Sequence, residues 1–234
     1  MGDKHLSTQF DSELNSLSSR VMEMGGLVES QIRQAIFAVS QFNADVARQV
    51  IEVEDRVNQM EVDIDRELSS VIARRQPTAR DLRLLMAISK TTANLERVGD
   101  EARRIARMVL SIVEKGGAAR TLPASELQVA ADLASAQLRK ALDAFARLDT
   151  VAAVAIMKGD GPLDKEFDGF VRKLITYMME DPRTISASLD LLFVAKAIER
   201  IGDHATNIAE FIIYVVKGAD VRHSSMEHIE STLK

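Results

Sequence analysis

The sequence predicts an all-α fold of two tandem three-helix bundles related by internal duplication, and three observations carry that prediction. The first is composition. Aromatic residues make up only 4% of the chain and tryptophan is absent, a balance that favours helix over strand. The second is periodicity, since apolar residues recur at steps of three and four through most of the length. The third is a stretch that occurs twice. Leu95-Glu96-Arg97-Val98-Gly99-Asp100 is answered by Ile198-Glu199-Arg200-Ile201-Gly202-Asp203, the two copies standing 103 positions apart.

The elements follow in order. Leu14, Leu17, Val21, Met24, Val28, Ile32, Ala35 and Val39 form one face of a long amphipathic helix over about 11–42. Asn43-Ala44-Asp45 reads as a break and an N-cap. A second helix runs to about Arg75 with Val53, Val57, Met60, Ile64, Leu68 and Val71 on one side, and Pro77-Thr78 ends it. Asp81 opens a third helix, stopped near Lys115 by Gly116-Gly117. The second half repeats the plan. Ser125 is expected to cap a helix running to about Leu148, and Asp149 starts the next as Asp45 does. Gly159-Asp160-Gly161-Pro162 interrupts that stretch before it resumes over 163–180. Asp181-Pro182-Arg183 mirrors the earlier turn, and the sixth helix ends at Gly218. The repeats are assigned to residues 1–118 and 119–221, with 222–234 expected as a flexible C-terminal tail. Six helices of roughly 30 residues are each about 45 Å long, so an elongated body is expected.

Bulk properties exclude several classes. The net charge of −5 argues against nucleic-acid binding, which needs a basic face. The run Arg103, Arg104, Arg107 reads as a solvated helix face. With no cysteine there can be no disulfide, thiolate metal site or thiol catalysis. The first ten residues contain no apolar signal region, and no apolar run approaches the ~18 residues that span a bilayer. A cytoplasmic protein is expected.

The repeated stretch points to a cation. Glu96 and Asp100 lie about 40° apart on one helical face, as do Glu199 and Asp203. Like charges at this spacing cost a few tenths of a kcal/mol (about 0.2–0.5), and an interior glycine costs about 1 kcal/mol. Both costs are met twice, which calls for a compensating role. All four acids fall on the flank of the apolar stripe. The preceding helix of each half carries a matching pair, Glu54 with Asn58 and Asp160 with Asp164. Together with Asn207 these make two oxygen-rich sets suited to iron, zinc, manganese or magnesium, divalent or trivalent. The second set is expected to be the better one, because Arg104 stands in the first half where Asn207 stands in the second. Gly99 and Gly202 would let a neighbouring helix or an ion approach. No histidine has ligand spacing, His204 reads as a surface residue, and Met178-Met179 reads as core or helix contact. No phosphate-cradling loop, zinc-protease motif or nucleophile elbow is present.

These residues resemble the PhoU family. The resemblance rests on Arg74-Arg75-Gln76-Pro77, Asp81-Leu82-Arg83, the two Glu-Arg-x-Gly-Asp stretches, and Tyr177-Met178-Met179-Glu180-Asp181-Pro182-Arg183. It covers about Phe10 to His223. The resemblance implies two three-helix bundles and a bacterial cytoplasmic regulator of phosphate uptake, not an enzyme. It implies an adaptor between the phosphate ABC transporter ATPase (PstB) and the sensor histidine kinase PhoR that represses the phosphate regulon when phosphate is plentiful. It further implies homodimers and metal clusters held through E/DxxxD motifs, which map to Glu96/Asp100, Glu199/Asp203 and Asp160/Asp164; Glu54/Asn58 departs by its Asn. A metal-carboxylate phosphohydrolase and a purely structural helical module stand as alternatives.

Overall fold

The computed structural model describes residues 8–116, 122–159 and 161–233. Helices α1 (Thr8–Gln41), α2 (Ala44–Arg75) and α3 (Ala79–Lys115) form the first bundle. The second contains α4 (Leu127–Arg147), α5 (Thr150–Lys158), α6 (Gly161–Glu180) and α7 (Ile185–Lys217), followed by α8 (Met226–Leu233). Short 3-10 turns at Ala124–Glu126 and Pro182–Thr184 lead into α4 and α7. Among the described residues there is no strand, and no helix is long and apolar enough to cross a membrane.

The duplication reaches down to single hydrogen bonds. At the end of α1 the Asn43 N–H donates to the Ala38 carbonyl (2.9 Å) and the Phe42 N–H to that of Val39 (3.3 Å). At the end of α4 Asp149 donates to Ala144 (2.9 Å) and Leu148 to Phe145 (3.1 Å). This pair of bonds closes a helix through a residue in the left-handed region. Phe42 (φ 48°) and Leu148 (φ 49°) occupy it although neither is glycine, which costs about 1–3 kcal/mol each. The next residue offsets part of that cost. Asn43 Oδ1 accepts from the Asp45 and Val46 N–H groups, and Asp149 Oδ1 from those of Val151 and Ala152. Such a cap stabilises a helix by about 1 kcal/mol.

Ion pairs show the helix directions. Glu13–Arg75 (2.9 Å) and Arg20–Glu67 (2.7 Å) join α1 to an antiparallel α2. Lys115–Asp190 (2.5 Å) and Arg83 Nε to the Val215 carbonyl (3.4 Å) join the opposite ends of α3 and α7, so these two also run antiparallel. They form the seam between the halves. The α1 stripe from Leu14 to Val39 is buried throughout, and each such Leu, Ile or Val contributes about 1.5–3 kcal/mol. A helix packed on several sides must be apolar all round. Accordingly α7 buries Ala187, Leu191, Val194, Ala197, Ile201, Ile208 and Ile213 on more than one face. The halves also meet through α1 and α4, where a Cβ on Gly25 would stand 2.7 Å from Leu142 Cδ1.

Two expectations change. Residues 226–233 form a helix where a flexible tail was expected, because Ile229 is buried and Lys158 of α5 pairs with Glu230. Of the two neighbouring methionines, Met178 is half-buried but Met179 is 79% exposed, since adjacent helical positions differ by about 100° and only one can face the core.

Candidate metal centre

Three carboxylates converge in the first half. Glu54 on α2 and Glu96 and Asp100 on α3 each place an oxygen within 4.8 Å of the other two. Gly99 makes this approach feasible. A Cβ there would meet Gln31 Oε1 and Glu54 Oε2 at 3.2 Å and Val57 Cγ1 at 3.3 Å. Both α1 and α2 therefore use the space that a side chain would fill. Gln31 Nε2 donates to Glu54 Oε2 (2.9 Å) and to the Val50 carbonyl (3.2 Å), fixing its amide with Oε1 on the other side.

That oxygen has no hydrogen-bond partner. Neither has Glu54 Oε1, nor Asn58 Oδ1 one turn further along α2, and all three are buried. A buried acceptor left unpaired costs about 1–3 kcal/mol, so three along one stretch mark a place that lacks positive charge. The electrostatics agree. Burial pushes the Glu54 carboxyl above its ordinary range, against the pull of the Gln31 hydrogen bond and with help from Asp100 and Glu96. Burial, then the Asp100 charge, raises Glu96 as well. Glu61 is raised by burial and next by Glu96, which brings a fourth acid into the same field. Local relief comes from the charges of Arg97, beside Glu96 and Glu61, and of Arg103, which contacts Asp100. An all-oxygen donor set of this kind fits a hard or borderline divalent or trivalent cation.

The second set is arranged differently. Asp160 lies outside the described residues. Asp164 and Asp203 are exposed, and among the described residues they form no such triad with Glu199. Glu199 pairs instead with Lys196 (2.5 Å), whose ammonium also sits over the Phe167 ring of α6 at 5.4 Å. Asn207 turns to the seam and donates to Asn94 Oδ1 of α3 (3.1 Å). Arg104, expected to oppose a cation in the first half, points to Glu101 instead (3.0 Å). It is therefore the first half whose described residues converge.

The sequence reading passed over Gln31, and a signal for it existed. Gln31 interrupts the apolar stripe of α1, and Gln137 interrupts that of α4 106 positions later. Gln137 is also buried and donates to Thr206 Oγ1 (3.0 Å). His204 is likewise not a surface residue. It is buried on the seam with Nδ1 3.0 Å from Asn94 Oδ1, and its Nε2 has no partner. Burial, then the charges of Arg200 and Arg97, lowers its pKa to about 4. The ring is thus neutral in the folded state down to that pH while the unfolded chain takes up a proton near 6.5. Its contribution to stability is complete above 6.5 and is lost as pH falls towards 4, by about 3 kcal/mol at most. In urea unfolding series, wild type should lose this amount relative to His204→Gln between those two pH values. Parallel curves would show that the ring is not held neutral.

Comparison with known proteins gives the same architecture a family. The PhoU domain matches residues 21–109 and again 127–212, one copy in each half. The chain belongs to the PhoU family. The chain is 51% identical over 229 residues to a phosphate-specific transport system accessory protein PhoU homolog of Burkholderia, covering 98% of this chain and 97% of that one. With the phosphate-specific transport system accessory protein PhoU of Escherichia coli it shares 48% over 231 residues, covering 99% and 95%. The crystal structure of PhoU from Pseudomonas aeruginosa superposes with a TM-score of 0.84 at 43% identity, over 90% of this chain and 100% of that one. That of the phosphate transport system regulatory protein PhoU from Streptococcus pneumoniae gives 0.83 at 26% identity, over 91% and 99%. PhoU proteins are accessory and regulatory proteins of phosphate transport and not enzymes.

Proposed function

We propose that this PhoU protein regulates phosphate uptake and phosphate-starvation signalling in the cytoplasm, as an adaptor between the phosphate ABC transporter ATPase (PstB) and the sensor kinase PhoR. In this reading it works as a homodimer at the membrane's inner face and keeps the phosphate regulon repressed when phosphate is plentiful. The observation that carries the regulatory part is the match over nearly the full length of relatives described as phosphate-transport accessory proteins. The adaptor part is supported by the surface of the α3–α7 pair. Leu82 and Met86 on α3, and Ile185, Leu189 and Phe193 on α7, remain exposed at steps of four. The first two positions of each row match across the 103-residue repeat. Exposed apolar rows of this kind mark surfaces that partners cover.

Glu54, Glu96 and Asp100 would hold the cation, with Gln31 and Asn58 as neutral oxygen donors. A bound cation neutralises the three carboxylates and ties α2 to α3. The residues themselves are braced for this: Gly99 gives the space, and Gln31 orients Glu54. In such an adaptor the brace fixes the spacing of two helices whose outer surfaces meet partners, and a partner that favours one spacing biases the equilibrium.

The deciding experiment is co-purification with the transporter ATPase and, separately, with the cytoplasmic portion of the kinase. We expect wild type to retain at least one of them, and Ile185→Asp/Leu189→Asp to lose it without loss of helicity. Retention of neither partner by wild type sinks the adaptor reading and leaves a structural helical module.

A further inference from the structure

Beside the acid triad, with which it shares Asp100, a cleft of about 450 Å³ opens along the seam. Arg97, Arg103, Arg104 and Arg107 of α3 and Arg200 of α7 line it, with Asp100 and Glu101 as its acids. Five guanidinium groups thus face two carboxylates, in a protein whose net charge is −5. A guanidinium cannot shed its proton to relieve such crowding; only a counter-charge can.

The floor of the cleft is built. Glu101 is 3% exposed and uses one oxygen for each helix: Oε2 accepts from Arg104 (3.0 Å) and Oε1 from Arg200 (3.1 Å). Asp100 holds Arg103 in the same way. Each of these arginines retains N–H donors beyond the ones so used. Arg97 and Arg107 form no hydrogen bond or ion pair with any described residue. The result is three guanidiniums fixed from behind and two free at the rim.

The fold itself does not ask for this charge. In the duplicate, Thr206, Asn207 and Glu210 stand where α3 has Arg103, Arg104 and Arg107. The same helix pair is therefore packed in the other half without the cations. A solvated helix face, as the sequence alone suggests for this run, would also not draw Arg200 in from the opposite helix.

We propose that this cleft is a binding site for a free phosphate anion, orthophosphate or a short condensed phosphate. A tetrahedral group with several charged oxygens can accept N–H forks converging from different directions, whereas a carboxylate offers two oxygens in one plane and satisfies a single fork. The surplus of cations over acids in the lining matches an anion of charge −2 or more. The cleft borders the metal centre at Asp100, but its cations are all residues that the metal reading does not use.

Calorimetric titration of the chelator-treated, full-length protein with orthophosphate and with pyrophosphate, at constant ionic strength, tests it. We expect saturable binding of one anion per chain by wild type, weakened at least about tenfold in Arg97→Ala/Arg107→Ala. That variant removes no ion pair of the fold, but the Arg97 charge also acts on Glu96 and His204, so binding is compared at a temperature where thermal melts show both proteins folded. Glu54→Gln, which alters the triad alone, should bind phosphate as wild type does even if the metal reading fails. Saturation by orthophosphate identifies the simple ion, and saturation by pyrophosphate alone identifies a condensed one. Absence of saturable binding, binding that survives the double substitution, or preference for a polyglutamate peptide over both phosphates overturns the proposal.

Discussion

Gly99→Val should lower the unfolding free energy by about 3 kcal/mol, the upper range for overpacking a buried site, and should abolish any stabilisation by added cations. The cause is local. A Cβ at this point already lies 3.2 Å from two oxygens and 3.3 Å from Val57, and valine's methyl groups would push further into that space. Gln31 and Glu54 would have to leave, and with them the α2 side of the triad. Gly99→Ala makes the control. It gains up to about 1 kcal/mol of helix propensity and spends it on the crowding, so its stability should stay near wild type while the cation response weakens. Urea unfolding with and without metal measures both. If Gly99→Val unfolds at the wild-type midpoint, α1 and α2 do not approach α3 as closely as described.

The second large effect is that of cation and pH on the triad. Burial and neighbouring charge raise the folded-state pKa of Glu54 and Glu96 above the ordinary 4.5. In the metal-free protein the folded state therefore holds protons that the unfolded chain has released. From these two groups, stability is greatest below 4.5 and falls as pH rises through the raised values. Ionising either carboxyl in the folded state carries a cost, and a cation removes it. At a hundredfold excess over its dissociation constant a ligand stabilises by about 2.7 kcal/mol, which is about 5–10 °C in midpoint for a chain of this size. Iron, manganese, zinc or magnesium added at pH 7.5 should give a shift of this order for at least one ion. Glu54→Gln/Glu96→Gln should lose the shift, and its metal-free form should melt above metal-free wild type at that pH. His204 titrates with the opposite sign, so the two effects separate only when each variant is compared with wild type at every pH. A wild-type shift no larger than that of the double variant ends the metal reading.

What could be read from the sequence and what could not divides along local and distant contacts. The stripes of α1, α3 and α7 and the caps Asn43 and Asp149 depend on residues within a turn or two of each other, and they stand where periodicity and side-chain chemistry put them. Glu96 and Asp100 are likewise set by helical spacing. The pairing of Glu54 with them needed only the expectation that consecutive helices run antiparallel. Gln31 required knowing that a third helix reaches the same point, although its duplicate Gln137 was there to be noticed. His204 and Asn94 are 110 positions apart, and no periodicity announces that α3 and α7 lie side by side. Burial of the ring, the turning of Asn207 away from the acid flank, and the collection of Arg97 with Arg200 all follow from that one contact. The pairing of Arg104 with Glu101, by contrast, lies within one turn of α3 and was open to the sequence, which set Arg104 against a cation instead.

The antiparallel α3–α7 seam has a consequence for how the molecule arose. Glu101 meets Arg200, and the repeat carries these two positions onto His204 and Arg97, where the arginine charge opposes protonation of the ring. A half-length ancestor could have made this contact with an identical twin. Symmetry would then have obliged both sides to change together. Fusion into one polypeptide lifted that obligation, and a glutamate on one side could answer a histidine on the other. The lopsidedness of the present protein, acids gathered in one half and arginines beside them, is something that only a joined pair can hold.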